Sequence, residues 1–205
     1  EQASGVLIQE LGSGKVVFQH RADHYFMPAS NAKLVTFLEA TRILPDSIPA
    51  YRYVETSDTL YFWGTGDPSL LHPDLHGDAL LKKLRSMNKV LVLADSDENV
   101  RPLGSGWAWD DYADDYSAEI ASIPLYNNQV RFSVKAGVAE VSPTFFSPFV
   151  RTGTSSFVQR DRNANLFTLP SVQNMPSVAV PFITSAKQTV DLLSFEVGKD
   201  RKSVV

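Results

Sequence analysis

The sequence contains no cysteine. Disulfides, iron–sulfur clusters and thiol catalysis are therefore excluded, while the compartment stays open because exported proteins can also lack cysteine. Basic charge is not in excess: 19 Lys+Arg stand against 23 Asp+Glu, a formal charge of −4, which argues against a nucleic-acid binder. No apolar run approaches the ~18 residues a membrane span needs, so no transmembrane segment is expected. Glu1-Gln2-Ala3-Ser4 offers neither a basic nor an apolar stretch, and no targeting signal is read there. Internal repeats and low-complexity segments are also missing. What remains is ordinary globular composition, 43% hydrophobic and 20% charged over 205 residues, enough to bury about 70% of the unfolded surface.

The chain opens with two strand-like runs, Gly5 to Leu11 and Val16 to Gln19, joined by Gly12-Ser13-Gly14-Lys15, a hairpin signature. From Ser30 to about Leu44 the pattern is helical and apolar on several faces, which predicts a helix inside a core; Pro45 ends it. Ser57 to Trp63 reads as a strand running into the turn Gly64-Thr65-Gly66-Asp67-Pro68. Leu75, Ala79, Leu80 and Leu84 keep helical spacing, and Lys89 to Leu93 forms a short strand. Residues 128–170 alternate β-prone runs with Pro, Ser and Asn, which suggests small antiparallel strands. A last helix is signalled by Ser185 with Gln188 as a capping box, by Ala186, Val190, Leu193 and Val197 on one face, and by Gly198 as the stop. Lys202-Ser203-Val204-Val205 is a β-prone ending that reads as an interruption.

Ser-x-x-Lys occurs twice, as Ser30-Asn31-Ala32-Lys33 and Ser86-Met87-Asn88-Lys89. About one such match is expected by chance in a chain of this size, so context decides. Ser86 lies at a frayed helix end before a strand, a surface joint. Ser30 opens a helix, where the dipole and free N–H groups favour developing negative charge. Lys33 is one turn on, on the same face. A partly buried lysine there could lose its proton and serve as base for the serine. The alternative is that Ser30 merely caps the helix and Lys33 is solvated.

Pro28-Ala29-Ser30-Asn31-Ala32-Lys33-Leu34-Val35-Thr36 resembles the nucleophile segment of penicillin-binding proteins, and more narrowly that of the penicillin-binding protein 4 type of D-alanyl-D-alanine carboxypeptidase/endopeptidase (peptidase family S13). The hairpin, the Gly64-Thr65-Gly66-Asp67-Pro68 turn and the segment Gly106-Trp107-Ala108-Trp109-Asp110-Asp111-Tyr112, followed by Ile123-Pro124 and Asn127-Asn128-Gln129-Val130, are similar to that family in the same order. The resemblance implies an α+β fold of the penicillin-binding protein/serine β-lactamase-like transpeptidase type, incomplete here and carrying an inserted domain. Residues 1–46 would begin the catalytic domain, 47–175 would form the insertion, and 176–205 would return to the catalytic domain. Ser30 would attack the amide between two D-alanines of a peptidoglycan stem peptide, or a cross-bridge amide, with Lys33 as base, and water would release the acyl group. β-Lactams would acylate the same serine. Trp109, Asp110 and Asp111 would read the amine of the stem-peptide diamino acid. An exported, periplasmic or cell-envelope location is implied.

No cofactor is expected, since serine, lysine and backbone N–H groups suffice for acyl transfer. No metal is expected either: His72 and His76 have one-face spacing, but Pro73 and Asp74 intervene and no third ligand is evident. His20 and His24 read as loop residues. Gly64-Thr65-Gly66 lacks the Gly-Lys-Ser/Thr of a phosphate loop. The family's Ser-x-Asn and Lys-Thr-Gly motifs follow a helix resembling Thr184 to Val197, and neither is read in this sequence. The sequence is therefore expected to be an N-terminal half, cut before two of three catalytic motifs. The rival expectation is a non-catalytic wall-binding or scaffolding relative.

Overall fold

The computed structural model describes residues 4–94 and 101–198. The β-prone ending 202–205 lies outside the described residues. The chain divides between Ile48 and Pro49 into two compact units.

In the first unit β1 (Val6–Gln9) and β2 (Val16–His20) pair antiparallel, Val6 with His20 and Ile8 with Phe18, with a bulge at Ile8/Gln9. Gly14, at φ +69°, closes the turn by donating its N–H to the Glu10 carbonyl at 3.0 Å. His20 thus ends a strand rather than lying in a loop. A single 3-10 turn, Ala29–Asn31, leads into α1 (Ala32–Ile43). The backbone of Leu44 is extended, and the helix stops before Pro45. The expected core helix is not found: α1 has no buried residue, and Leu34, Phe37 and Ile43 are 71%, 69% and 75% exposed. An apolar helix and a two-stranded ribbon are too small to cover each other's faces.

The second unit holds the core. β3 (Tyr51–Glu55), β4 (Thr59–Gly64) and β5 (Val90–Leu93) form one sheet. β3 and β4 pair antiparallel, β4 and β5 parallel, and the parallel pair is bridged by α2 (Ala79–Ser86) as a strand–helix–strand unit. Leu80, Leu81 and Leu84 of α2 are buried, while Lys82 pairs with Asp78 on the solvent side at 2.8 Å. Leu60 and Phe62 of β4 and Leu91 and Leu93 of β5 sit in the same core as these leucines.

Two further three-stranded sheets follow. β6 (Gln129–Lys135) lies between β7 (Val138–Ser142) and β11 (Met175–Pro181). β10 (Phe167–Pro170) lies between β8 (Val150–Gly153) and β9 (Gln159–Arg160). The expectation of antiparallel strands throughout fails at one place: β8 and β10 run parallel. Phe132, Phe146, Phe167 and Phe182 meet at ring separations of 5.0–5.8 Å, and burying each such ring stabilises by roughly 1.5–3 kcal/mol. α3 (Ala186–Val197) adds Leu192, Leu193 and Val197 to the same core. Ser185 caps it by accepting from the Gln188 N–H at 3.0 Å, and Gly198 ends it at φ +66°. The reciprocal half of the capping box is not made: the Gln188 side chain accepts from Asn165 instead, at 3.0 Å.

The turn 64–68 is held from within its own unit. A Cβ on Gly64 would lie 1.9 Å from the Ser122 carbonyl oxygen. The Gly66 N–H donates to that oxygen at 2.8 Å, at φ +81°. Asp67 accepts from the N–H and hydroxyl of Ser69 at 3.0 and 2.9 Å. Glycine is required here by close approach of two backbones.

Candidate functional site

Of the two Ser-x-x-Lys matches, geometry separates them clearly. Ser86 donates its hydroxyl to the Lys83 carbonyl at 2.8 Å at the end of α2, and Lys89 pairs with Glu55 at 2.9 Å. Both ends of that motif are already in use. Ser86-Met87-Asn88 also has the letters of Ser-x-Asn, but the same helix-end bond holds its serine.

Ser30 sits in the 3-10 turn directly before α1. The position before it, Ala29, is left-handed at φ +44°, a conformation that costs a residue with a Cβ about a kcal/mol or more and that clusters at functional sites. The cap position of α1 is Asn31, not Ser30, and no side chain caps the helix. The capping role considered for Ser30 is thus not observed: the residue is exposed and, among the described residues, no side chain caps the first-turn N–H groups of α1. Lys33, in the first turn of α1, is also exposed, so the partial burial expected of it is not supplied by the described residues.

The segment 107–117 belongs to the second unit and contains two 3-10 turns, Asp111–Ala113 and Asp115–Ser117. It places its aromatic and acidic groups unequally. Trp107 stacks on Tyr116 with centroids 6.0 Å apart. Hydrogen bonding to Asp111, then burial, then hydrogen bonding to Asp114 push the pKa of the Tyr116 hydroxyl well above the ordinary tyrosine value. Asp111 is therefore engaged. Asp110 is exposed, and among the described residues nothing pairs with its carboxylate. Trp109 is 72% exposed.

Two residues that the sequence did not point to, Arg160 and Arg162, complete this cluster around Tyr112. Arg160 is only 5% exposed. Its guanidinium donates to the Tyr112 carbonyl at 3.1 Å and the Asp161 carbonyl at 3.3 Å and lies 5.1 Å from the Tyr112 ring. Burial lowers its pKa, and the negative charge of Glu119 is the largest opposing influence. The Arg162 guanidinium lies 4.9 Å from the Trp109 ring and 5.7 Å from that of Tyr112. Some fifty residues separate these partners along the chain, so no local pattern could have shown the contact.

Among the described residues no group of three His, Asp or Glu side chains is placed to hold a metal ion. The His72 ring nitrogen is taken up locally, accepting from the Asp74 N–H at 3.0 Å. No helix of the described residues is long and apolar enough to cross a membrane.

Residues 1–163 match the family model of the D-Ala-D-Ala carboxypeptidase 3 (S13) family. A D-alanyl-D-alanine carboxypeptidase of Actinomadura sp. (strain R39) is 29% identical over 155 residues, covering 69% of this chain and 28% of that protein. Penicillin binding protein 4 of Haemophilus influenzae has the same fold over 98% of this chain and 52% of its own, with a TM-score of 0.67 and 17% identity. The same protein complexed with a β-lactam matches with a TM-score of 0.56 and 15% identity, over 98% of this chain and 51% of its own. The chain thus spans about half the length of these solved relatives. The fold is accordingly an incomplete penicillin-binding-protein-like α+β fold.

Proposed function

The chain belongs to the D-Ala-D-Ala carboxypeptidase 3 (S13) family, and from that premise we propose that it supplies the nucleophile-bearing part of a serine D,D-peptidase acting on peptidoglycan stem peptides outside the cytoplasmic membrane. The observation that carries this reading is Ser30: an exposed, uncapped hydroxyl at the start of α1, after a left-handed Ala29 and one turn before Lys33.

In this reading Ser30 Oγ attacks the carbonyl of the penultimate D-alanine while Lys33 Nζ, neutral at that moment, takes the hydroxyl proton. The C–N bond then breaks, the leaving D-alanine amine receives a proton, and an ester on Ser30 remains. Water attacks the ester and frees the serine. A β-lactam follows the first step through its ring amide, and its leaving group stays tethered. Trp109 and Asp110 receive the ammonium of the stem-peptide side chain, with Asp111 contributing charge while bonded to Tyr116.

Peptide mapping after incubation with a labelled penicillin tests the reading. A label on Ser30 supports it. A label on Ser86, or none in folded protein, favours the rival reading of a non-catalytic wall-binding relative, for which the exposure of Lys33 is the supporting observation.

A further inference from the structure

Resting on the reading of Trp109 and Asp110 as a cation-binding segment, we infer that Arg162 is a built-in competitor for that site, so that a ligand ammonium enters only by displacing the chain's own guanidinium from an aromatic cage formed by Trp109 and Tyr112. A cation interacts with a ring face within about 6 Å of its centroid, and Arg162 meets that condition for both rings at once, at 4.9 and 5.7 Å. The position a ligand cation would take against these two rings is therefore already filled.

The two arginines of the cluster differ in what holds them. Arg160 is buried and tied to two backbone carbonyls, which makes it part of the framework beneath Tyr112. Arg162 is exposed and lies in the loop 161–166 between β9 and β10. Among the described residues no carboxylate or carbonyl accepts from it, and the two rings are its recorded partners. Exposed cation–π contacts are weak, so Arg162 can be exchanged for another cation. Two cations cannot share the cage, because like charges a few ångströms apart repel. In the proposed function the incoming group also meets the carboxylate of Asp110, which has no partner among the described residues. The ligand is that of the proposed function, a side-chain ammonium. Neutral side chains gain nothing from the exchange, and Arg162 thereby sharpens discrimination between a free amine and an acylated one.

The test is titration of the protein with Nα-acetyl-lysinamide, read by tryptophan fluorescence, with Trp109→Phe assigning the signal. Arg162→Gln removes the competing charge and should tighten binding about two- to fivefold, the factor an exposed cation–π contact is worth. Arg162→Lys keeps a cation and should stay near wild type. The Nε-acetylated probe should not bind any variant. Equal or weaker binding by Arg162→Gln, or a gain by Arg162→Lys as large as that of Arg162→Gln, overturns the competitor role while leaving the cation site standing. Absence of binding by every variant, or equal binding of the acetylated probe, overturns the cation site itself and the competitor with it.

Discussion

In the proposed mechanism Lys33 carries the most exacting requirement placed on any one residue, because an amine must be neutral to accept a proton from Ser30. Lys33→Ala should slow acylation of Ser30 by penicillin roughly 10²–10⁴ fold, as loss of a general base does, with unchanged circular dichroism. Lys33→Arg should not restore the rate, since a guanidinium stays protonated at any working pH; near-normal acylation by the arginine variant would show that Lys33 is no base. At the second cluster the two aspartates are not equivalent. Asp110 is free among the described residues, whereas Asp111 holds the Tyr116 hydroxyl. Asp110→Asn should therefore lower kcat/KM about two- to fivefold for a substrate with a free side-chain amine, the range of an exposed ion pair, and leave an acetylated substrate unchanged. Equal losses on both would mean that the acidic run is only a solvated face. Ser30, Lys33, Trp109, Asp110 and Asp111 could be proposed from the sequence because each lies in a short contiguous segment. It could not show Arg160, Arg162 or Tyr112 as partners, since a loop between two short strands brings the arginines to the aromatic segment.

Among the elements, those with local signals were readable and those defined by distant pairing were not. The hairpin turn, α2, β5 and α3 announce themselves through glycine, periodicity and caps. β3 was missed: it follows a stretch with Pro45 and Pro49, and its mostly exposed residues show no apolar alternation. The parallel pairing of β8 with β10 has no local signal at all. The cap of α3 makes a direct prediction: Ser185→Ala should cost about 1 kcal/mol in denaturant unfolding, because the Gln188 N–H loses its acceptor and the Gln188 side chain is committed to Asn165. β3 is tied to α2 and β5 through Glu55, which pairs with Lys83 at 3.2 Å and Lys89 at 2.9 Å. Hydrogen bonds from Lys89 and then Lys83 hold its pKa below the ordinary glutamate value. A carboxylate depressed on folding adds stability above its unfolded pKa and loses it as pH falls through the folded one. Acid unfolding of Glu55→Gln should accordingly lose pH dependence below the ordinary glutamate pKa; an unchanged acid limb would show that the pairing adds nothing.

For the whole molecule, the distribution of apolar surface matters most. The second unit buries its aromatic core, whereas β1, β2 and α1 expose Leu7, Ile8, Phe18, Leu34 and Phe37. Exposed apolar area of this kind marks a surface that binds something. The 205-residue chain should therefore bind an environment-sensitive apolar dye; no binding would show that these side chains are covered in solution. The α+β class and the family were legible from four ordered segments, and so was the surplus of apolar faces on the hairpin and α1, which is more than the two can cover for each other; helical periodicity reports which faces are apolar and not what covers them.

The most direct test of the central claim is mass-spectrometric mapping of the penicillin adduct in wild type, Ser30→Ala and Ser86→Ala proteins. A single acyl adduct on Ser30, lost in Ser30→Ala and retained in Ser86→Ala, is the expected result. An adduct that survives Ser30→Ala would contradict the account.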